Sequence, residues 1–396
     1  MLTAHTIALV KSTIPLLEDA GTVITQHFYA RMFRENPELQ DIFNMSNQRS
    51  GRQQFALFSA IAAYAKHIET PEMLSTAIER IAHKHTSLNV QPHHYDIVGH
   101  HLLATLRELA PDAFTAEVEA AWAEAYTFLA SVFIGREGAL YQQAKTATGG
   151  WNGPRRFIVR EKNVESELVT SFLLAPADGE PVLAYQPGQY LAVRVKPEGA
   201  AYWEIRQYSL SDKPNGTTYR ISVKRENGEQ AGAVSNYLHD KVRVGDEINA
   251  LPPAGDFFLK SAQTPNVLIS AGIGVTPMIA MLETLVSSGS QAPIHFLHAC
   301  ESPQQHSFAA RIKALKAKFA AVKSFTWYSN APAQTGDSFH GLMELAPLAK
   351  QLPLAEGNFY LCGPTGFMKF AKDQLLALNV NAERIHYEVF GPHSDL

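Results

Sequence analysis

The sequence is poor in cysteine and has little net charge. Two cysteines in 396 residues cannot form the disulfide framework that is typical of small secreted proteins. Lys and Arg total 34 against 38 Asp and Glu, a formal net charge of −4, so the basic surplus of a nucleic-acid-binding protein is missing. The composition therefore predicts no nucleic-acid partner, and no obligate protein partner is evident from it.

Long apolar runs and targeting signals are also missing. A bilayer span needs about 18 consecutive apolar residues, and the best candidate, residues 266–282, is interrupted by Gly272, Gly274 and Pro277. The first residues lack the basic start and the small-residue cleavage site of a signal peptide. We therefore expect a cytoplasmic protein without membrane insertion.

The length allows two to three domains of roughly 150 residues, and the pattern of apolar residues changes twice along the chain. Residues 1–145 have the helical period throughout, and small and turn-forming residues at 146–154 are typical of a linker. Short strands and turns over residues 151–262 predict an antiparallel β-barrel. Alternating strands and helices over residues 263–396 predict an α/β domain with a parallel sheet.

A glycine-rich turn opens the first helix of the α/β domain. In Ala271-Gly-Ile-Gly-Val-Thr-Pro277 the turn follows a strand, so backbone N–H groups at the helix N-terminus can face a pyrophosphate. Gly272 and Gly274 permit close approach, but the third glycine of a full dinucleotide fingerprint is absent. A structural tight turn remains the alternative.

Two segments of the barrel carry groups suited to a flat, phosphorylated ligand. Arg206 and Tyr208 share one face of the strand Arg206-Gln-Tyr-Ser209, where a guanidinium pairs with phosphate and a phenol ring packs on a heterocycle. The segment from Gly232 to Asn236 is a second candidate phosphate cradle. The alternative is a half-exposed strand with one surface charge.

Taken in order with Cys362-Gly-Pro364, these motifs resemble the ferredoxin-NADP reductase superfamily over residues 154–396. The resemblance implies FAD contacts from Tyr190, Arg206, Gln207, Tyr208, Ser209, Gly232, Val234 and Ser235. It implies contacts to NADH or NADPH from Ala271, Gly272, Ile273, Gly274, Val275, Thr276, Cys362 and Gly363. It also places the terminal segment, Val389, Phe390, Gly391 and Pro392, at the flavin, with the Phe390 ring stacked where the nicotinamide enters. We expect Cys362 to be an ordinary buried cysteine without thiol chemistry.

One histidine lies on an apolar helical stripe in the N-terminal segment. On a helix predicted over residues 71–88, Leu74, Ile78, Ile81, His85 and Leu88 follow one another at steps of four and three. His85 therefore points inward, whereas the histidine two residues earlier faces away. A hydrogen-bonded core histidine and a metal ligand both remain open on this pattern.

Two polar residues share inward stripes with apolar ones. Glu137 follows Phe133 by four residues, and Tyr95 shares a face with Leu102. A buried carboxylate must be paired, and a metal-bound histidine commonly gives its second N–H to such an acceptor. The alternative for Glu137 is a solvated position at the helix end.

These positions look like the globin fold, and a globin joined to such a reductase resembles the flavohaemoglobin architecture over essentially the whole chain. The resemblance implies His85 as the haem-iron ligand, oriented by Tyr95 and Glu137, with Phe43 against the haem and Lys84 near the route from haem to flavin. It implies Tyr29 and Gln53 as the residues that stabilise the iron's ligand, for which plain packing is the alternative role. The fold expected is thus an all-α globin, an antiparallel β-barrel FAD domain and an α/β NAD(P)-binding domain.

The same resemblance implies a nitric oxide dioxygenase. Haem b, FAD and NADH or NADPH are the expected cofactors, and O2, NO and NAD(P)H are the expected small-molecule substrates. NAD(P)H would reduce the haem through FAD, and O2 at the haem would oxidise NO to nitrate. Two alternatives stay open: a haem-based gas sensor that reduces itself, and an NAD(P)H-dependent flavin or ferric reductase.

Overall fold

The computed structural model describes residues 2–19, 21–43, 52–228, 231–333 and 336–391. These residues divide into two compact units. One unit comprises Met1–Ala147 with Arg194–Arg206, and the other comprises Thr148–Val193 with Gln207–Leu396. The limits of the three domains expected from the sequence, 1–145, 151–262 and 263–396, stay predictions.

The N-terminal segment is helical. Its helices are α1 (Ala4–Ser12), α2 (Ile14–Asp19), α3 (Gly21–Glu35), α4 (Arg52–Lys66), α5 (Ser75–Ser87), α6 (Pro92–Leu109) and α7 (Ala116–Thr146). The helix predicted over residues 71–88 differs at its start, where Pro71–Leu74 forms a 3₁₀ turn before α5. Such a turn is common at a helix N-terminus, and a proline fits there because it has no N–H to satisfy.

Large side chains of α3, α6 and α7 form the core of this segment. Phe28, Met32, Leu102 and Trp122 are all at most 1% exposed. The Trp122 indole N–H also donates to the Thr13 hydroxyl at 3.0 Å, so the polar edge of the ring is satisfied inside the core. This packing fixes α6 and α7, the helices on which the tyrosine and the glutamate of interest lie.

The β-rich segment is an antiparallel sheet closed on itself. Its strands are β1 (Arg155–Val164), β2 (Val169–Pro176), β3 (Tyr190–Val195), β4 (Glu204–Ser209), β5 (Tyr219–Lys224) and β6 (Glu247–Ala250), in the order β4-β3-β6-β1-β2-β5. A bridge between Leu210 and Ile221 joins the chain just after β4 to β5, the two ends of that order. Helix α8 (Ala233–Asp240) follows β5. The predicted antiparallel barrel is confirmed.

The C-terminal segment is a parallel sheet with helices. Its strands are β7 (Asn266–Ala271), β8 (Ile294–Cys300), β9 (Val322–Tyr328), β10 (Ser338–His340), β11 (Asn358–Cys362) and β12 (Ile385–Glu388), in the order β10-β9-β8-β7-β11-β12. Its helices are α9 (Val275–Ser287), α10 (Ala309–Lys318) and α11 (Thr365–Ala377). The predicted parallel α/β domain is confirmed, although β10 and β12, of three and four residues, are too short to show a period in the sequence.

The register of the parallel sheet brings its strand ends together. Cys362 at the end of β11 pairs with Ser270 of β7 on one side and with Glu388 of β12 on the other. Ala271 pairs with Ala299 of β8. Because the strands are parallel, the turns that follow β7, β8, β11 and β12 lie along one edge. None of the helices in the described part of the chain is long and apolar enough to cross a membrane.

Candidate functional site

One ring nitrogen of His85 forms a closed triangle of hydrogen-bonding groups with two other side chains. The Nδ1 atom lies 2.9 Å from the Tyr95 hydroxyl and 2.8 Å from Glu137 Oε1. The Tyr95 hydroxyl donates to the same carboxylate oxygen at 2.5 Å. The three residues come from α5, α6 and α7, and the structure thus brings together three side chains that the sequence had marked on separate helices.

This triangle favours one tautomer of the imidazole, with the proton on Nδ1. Glu137 is only 3% exposed, so its carboxylate depends on these two donors. Burial, followed by the adjacent Glu137 charge, raises the pKa of Tyr95 far above its usual range, and the phenol stays a donor. With Nδ1–H donating to the carboxylate, the lone pair of His85 lies on Nε2, the arrangement of a histidine that binds a metal.

The surroundings of His85 fit a haem iron. No hydrogen bond to Nε2 is present among the described residues, and the side chain is 31% exposed. The apolar residues packed nearby include Ile78, Ile81 and Phe133, and the Phe133 ring centroid is 5.8 Å from that of His85. A basic nitrogen that faces outward among apolar side chains suits ligation inside an apolar macrocycle site.

Packing between α6 and α7 holds Tyr95 in place. The Tyr126 hydroxyl donates to the backbone carbonyl of Tyr95 at 2.7 Å. The Tyr126 ring lies against Gly99, where an added Cβ would meet ring atom Cε1 at 2.4 Å. Only glycine therefore lets the two helices approach closely enough for this bond.

A second contact ties the helix of His85 to the helix of Glu137. Arg136 donates from Nε and a terminal nitrogen to Glu79 of α5, at 2.6 and 2.5 Å. His83 lies 3.2 Å from the same carboxylate, on the side away from the triangle. The Arg136 guanidinium lowers the pKa of Glu79, so this pair remains charged. No periodic pattern in the sequence predicts this pair, because its residues lie 57 positions apart.

Aromatic rings from α3 and the turn after it form a separate cluster. Tyr29 is 5% exposed, and its ring centroid is 5.9 Å from Phe43, which in turn is 5.5 Å from Phe33. Tyr29 and Phe43 are thus neighbours, and their roles at a haem stay predictions. Gln53 falls within α4, but its side chain lies outside the described part of the structure. Lys84 is half-buried on α5, next to His85 in sequence.

The predicted flavin residues of the barrel lie on β4 and at the barrel's edge. Arg206, Gln207 and Tyr208 are half-buried, whereas Ser209 is buried. The Arg206 guanidinium lies 2.9 Å from Glu204 Oε2 and donates to the Ile205 carbonyl at 2.8 Å. Tyr190 of β3 exchanges backbone hydrogen bonds with Ala254.

The N-terminus of α8 forms a cradle around Gly232. An added Cβ there would meet Ser235 Oγ at 2.5 Å, so the backbone is closely packed at this point. The Ser235 hydroxyl donates to the Gly232 carbonyl at 3.2 Å, and Val234 is buried beneath it. The N–H groups of the first helical turn lack intrahelical partners and suit a phosphate of FAD.

The predicted dinucleotide turn packs against the turn after β11. Gly272–Gly274 is a 3₁₀ turn between β7 and α9, and Thr276 caps it by donating to the Ile273 carbonyl at 2.9 Å. An added Cβ on Gly274 would lie 2.1 Å from the Cys362 carbonyl oxygen. Gly272 is exposed, and a Cβ there would meet nothing within 4 Å. The turn is thus closely packed at Gly274 and open at Gly272, where a pyrophosphate can approach the backbone N–H groups.

The remaining predicted residues lie at this same edge. Val275 and Ala271 are buried around the turn, and Gly363 follows Cys362 directly. Complete burial and the nearby Glu388 raise the pKa of the Cys362 thiol well above its usual range, in keeping with a cysteine that has no thiol chemistry.

The terminal segment continues from β12 at the edge. Val389 packs on the core beneath the sheet, whereas Phe390 is 45% exposed, and Gly391 follows with a positive φ of 136°. Pro392 lies outside the described residues. This exposed aromatic ring follows β12, two strands from β7 along the same edge of the sheet, and is available to stack on a flat ring system.

Comparisons with known proteins cover each of these segments. The globin family model matches residues 26–133, the oxidoreductase FAD-binding domain model matches residues 156–259, and the oxidoreductase NAD-binding domain model matches residues 268–373. A flavohemoprotein of Vibrio cholerae is 58% identical over 398 residues, which is 100% of both chains. The chain belongs to the flavohaemoprotein family.

Solved structures agree with the family. The crystal structure of a flavohemoglobin from Malassezia yamatoensis, with bound FAD and heme, covers 98% of this chain and 100% of its own, with 27% identity and a TM-score of 0.88. The FAD/NAD-binding domain of a nitric oxide dioxygenase from Vibrio cholerae covers 60% of this chain and 99% of its own, with 52% identity and a TM-score of 0.57. As in other flavohaemoproteins, a globin precedes the FAD- and NAD-binding domains here.

Proposed function

We propose that this flavohaemoprotein is a nitric oxide dioxygenase, which uses NAD(P)H and O2 to convert NO to nitrate. The observation that carries the proposal is the triangle of His85, Tyr95 and Glu137, in a chain that also contains an FAD- and NAD-binding oxidoreductase. The name of the Vibrio cholerae domain, nitric oxide dioxygenase, supports the same activity.

The residues of the helical segment fit a haem and would hold it from the side of His85. In this proposal His85 binds the iron through Nε2, while Glu137 and Tyr95 keep the proton on Nδ1 and fix the ring plane. Phe43 would pack on the macrocycle, and the Tyr29 hydroxyl would donate to a small ligand of the iron.

The reductase residues would hold the two other cofactors. FAD would be bound by Arg206, Tyr208, Ser209 and the N-terminus of α8, and the pyrophosphate of NAD(P)H would be bound by the turn at Gly272–Gly274. When bound, the two cofactors would supply the redox chemistry. The flavin can take two electrons at once from NAD(P)H, and the haem iron takes one electron at a time and binds O2. NO, O2 and one electron sum to nitrate, so one NAD(P)H serves two molecules of NO. We also place the protein in the cytoplasm, because the proposed activity depends on NAD(P)H as electron donor.

Two measurements on the purified holoprotein test the proposal. Anaerobic addition of NADH should convert the absorption bands of oxidised flavin and ferric haem to those of the reduced forms. In air, an NO electrode should then record NO loss with nitrate as product. A gas sensor would not consume NADH steadily in the presence of NO.

A matched pair of variants separates the haem from the reductase. His85→Ala should abolish NO consumption and leave the reduction of ferricyanide by NADH unchanged, because ferricyanide takes electrons from the flavin. His83→Ala, two residues away on the same helix and paired with Glu79, should retain both activities. Undiminished NO consumption by His85→Ala would refute the proposal and favour a flavin reductase.

A further inference from the structure

A group of side chains suited to a metal ion lies where the end of α3 meets α6, and the proposed function does not use it. The group consists of Glu35, the last residue of α3, and the adjacent His100 and His101 of α6. Each side chain offers one ligand atom, and these three atoms lie within 4.8 Å of one another. In the described part of the chain this is the one cluster of three or more His, Cys, Asp or Glu side chains that could hold a metal ion.

His101 is the buried member of the group, and its two ring nitrogens have different surroundings. The residue is only 1% exposed, and its Nε2 lies 2.9 Å from Asn36 Oδ1. The Asn36 amide nitrogen donates to Glu38 at 3.0 Å, which leaves the amide oxygen to face His101. Because an amide oxygen only accepts hydrogen bonds, Nε2 carries the proton and Nδ1 keeps its lone pair.

The buried Nδ1 of His101 has no hydrogen-bond partner among the described residues. A buried polar atom is normally satisfied, so an unpartnered acceptor here calls for a ligand. A histidine that binds a metal through one nitrogen commonly gives its other N–H to an oxygen acceptor, which Asn36 supplies. His101 thus has the tautomer and the support of a metal ligand.

The two other members can move toward a common ion. His100 and Glu35 are both exposed. The ring centroids of His100 and His101 lie 5.0 Å apart, with an interplanar angle of 78°. Ligand atoms about 2.0–2.1 Å from a tetrahedral ion lie about 3.4 Å from one another, so rotation of the two exposed side chains is enough to close the site.

Glu35 keeps one carboxylate oxygen for a cation. Arg31 and Arg34 both donate to Oε1, at 2.5 and 2.9 Å, whereas Oε2 accepts no hydrogen bond from the described residues. Arg31 also lies 3.6 Å from Glu108, so its charge is shared between two carboxylates. This sharing reduces the repulsion between the guanidinium and an ion at Oε2.

We propose that Glu35, His100 and His101 bind a zinc ion, with water as the fourth ligand. Imidazole nitrogens and carboxylate oxygens are ligands that Zn²⁺ takes in proteins, and a site with three protein ligands keeps one position for water. His101 binds through Nδ1, while Asn36 holds the Nε2–H. The ion ties the end of α3 to α6 and is independent of the haem, the flavin and the NO chemistry.

Calorimetric titration of Zn²⁺ into the chelator-treated holoenzyme tests the site, and we expect one strong site per chain. His100→Ala and Glu35→Gln remove exposed ligands and leave the buried His101 in place, so folding is not at risk. Each should weaken binding by at least about tenfold, since loss of a group that only supports a ligand already costs about 10- to 100-fold. His93→Ala, the matched control, removes an exposed histidine beside His94 on the same helix and should bind Zn²⁺ like the unaltered protein.

Two further measurements separate a built site from loose binding at surface histidines. X-ray absorption at the zinc edge of the loaded holoenzyme should show two imidazole ligands, with Zn–N distances of about 2.0–2.1 Å. Zn²⁺ should also raise the melting temperature of the unaltered protein and of His93→Ala, but not that of His100→Ala, because only the folded chain brings α3 and α6 together. The absence of a strong site, or a strong site undiminished in folded His100→Ala and Glu35→Gln, would overturn the inference. None of these readouts uses NADH or NO, so the result stands apart from the proposed function.

Discussion

Removal of the Glu137 carboxylate is expected to lower both the stability of the fold and the affinity for haem. In Glu137→Leu, the Tyr95 hydroxyl and the His85 Nδ1–H lose their common acceptor inside the protein. The Tyr95 hydroxyl can then donate to His85 Nδ1, 2.9 Å away, only if the ring proton moves to Nε2, so one donor or the metal-binding tautomer is lost. A buried donor left without a partner costs about 1–3 kcal/mol, and we expect a loss of that size in the free energy of unfolding. Glu137→Gln keeps one acceptor oxygen and loses the charge, and we expect about 1–2 kcal/mol because charge-assisted bonds are about twice as strong as neutral ones.

Haem affinity should fall in the same order, more in Glu137→Leu than in Glu137→Gln. Loss of a partner to a metal-binding histidine typically costs about 10- to 100-fold in metal affinity or activity. Haem transfer from each variant to a scavenging apoprotein, followed by absorbance, measures that affinity, and urea denaturation of the apoprotein measures stability. Tyr95→Phe, which leaves the contact between His85 and Glu137 in place, should lose less than Glu137→Leu in both assays. Unaltered haem transfer in Glu137→Leu would refute a role for the triangle in ligation.

Two further predictions concern the parallel α/β domain. Gly274→Ala should weaken NAD(P)H binding and lower the melting temperature, because its Cβ would collide with the Cys362 carbonyl oxygen at 2.1 Å. Gly366→Ala, in open space on α11, should instead raise the free energy of unfolding by up to about 1 kcal/mol. Calorimetry measures the stability of both variants. Burial lowers the pKa of His295 to about 4 from a usual 6.5, so below pH 6.5 the unfolded chain takes up a proton that the folded chain refuses. Stability should therefore fall between pH 6.5 and 4 and level off below, and His295→Leu should remove up to about 3 kcal/mol of that fall in urea titrations. A pH dependence identical in both proteins would contradict this account.

The sequence by itself determined the architecture and the faces of its elements. A period near 3.6 marked His85, Tyr95 and Glu137 as inward residues, and the described structure places Tyr95 and Glu137 in buried positions. Turn-forming residues and the period of two delimited the strands of the barrel. The glycine turn before α9 was also readable, because strand, turn and helix are consecutive. Helical and strand periods and turns depend on local backbone geometry, which the residues of each short segment determine.

Tertiary structure alone decided which of these residues meet. The acceptor shared by Tyr95 and His85 comes from 42 and 52 positions away, through the packing of α6 on α7 at Gly99. No local sequence pattern indicates that Arg136 pairs with Glu79, 57 positions away. The short strand β12 forms only beside β11, and this pairing carries Phe390 to the nucleotide edge. Long-range pairing depends on how whole surfaces pack, and a single strand or helix does not contain that information.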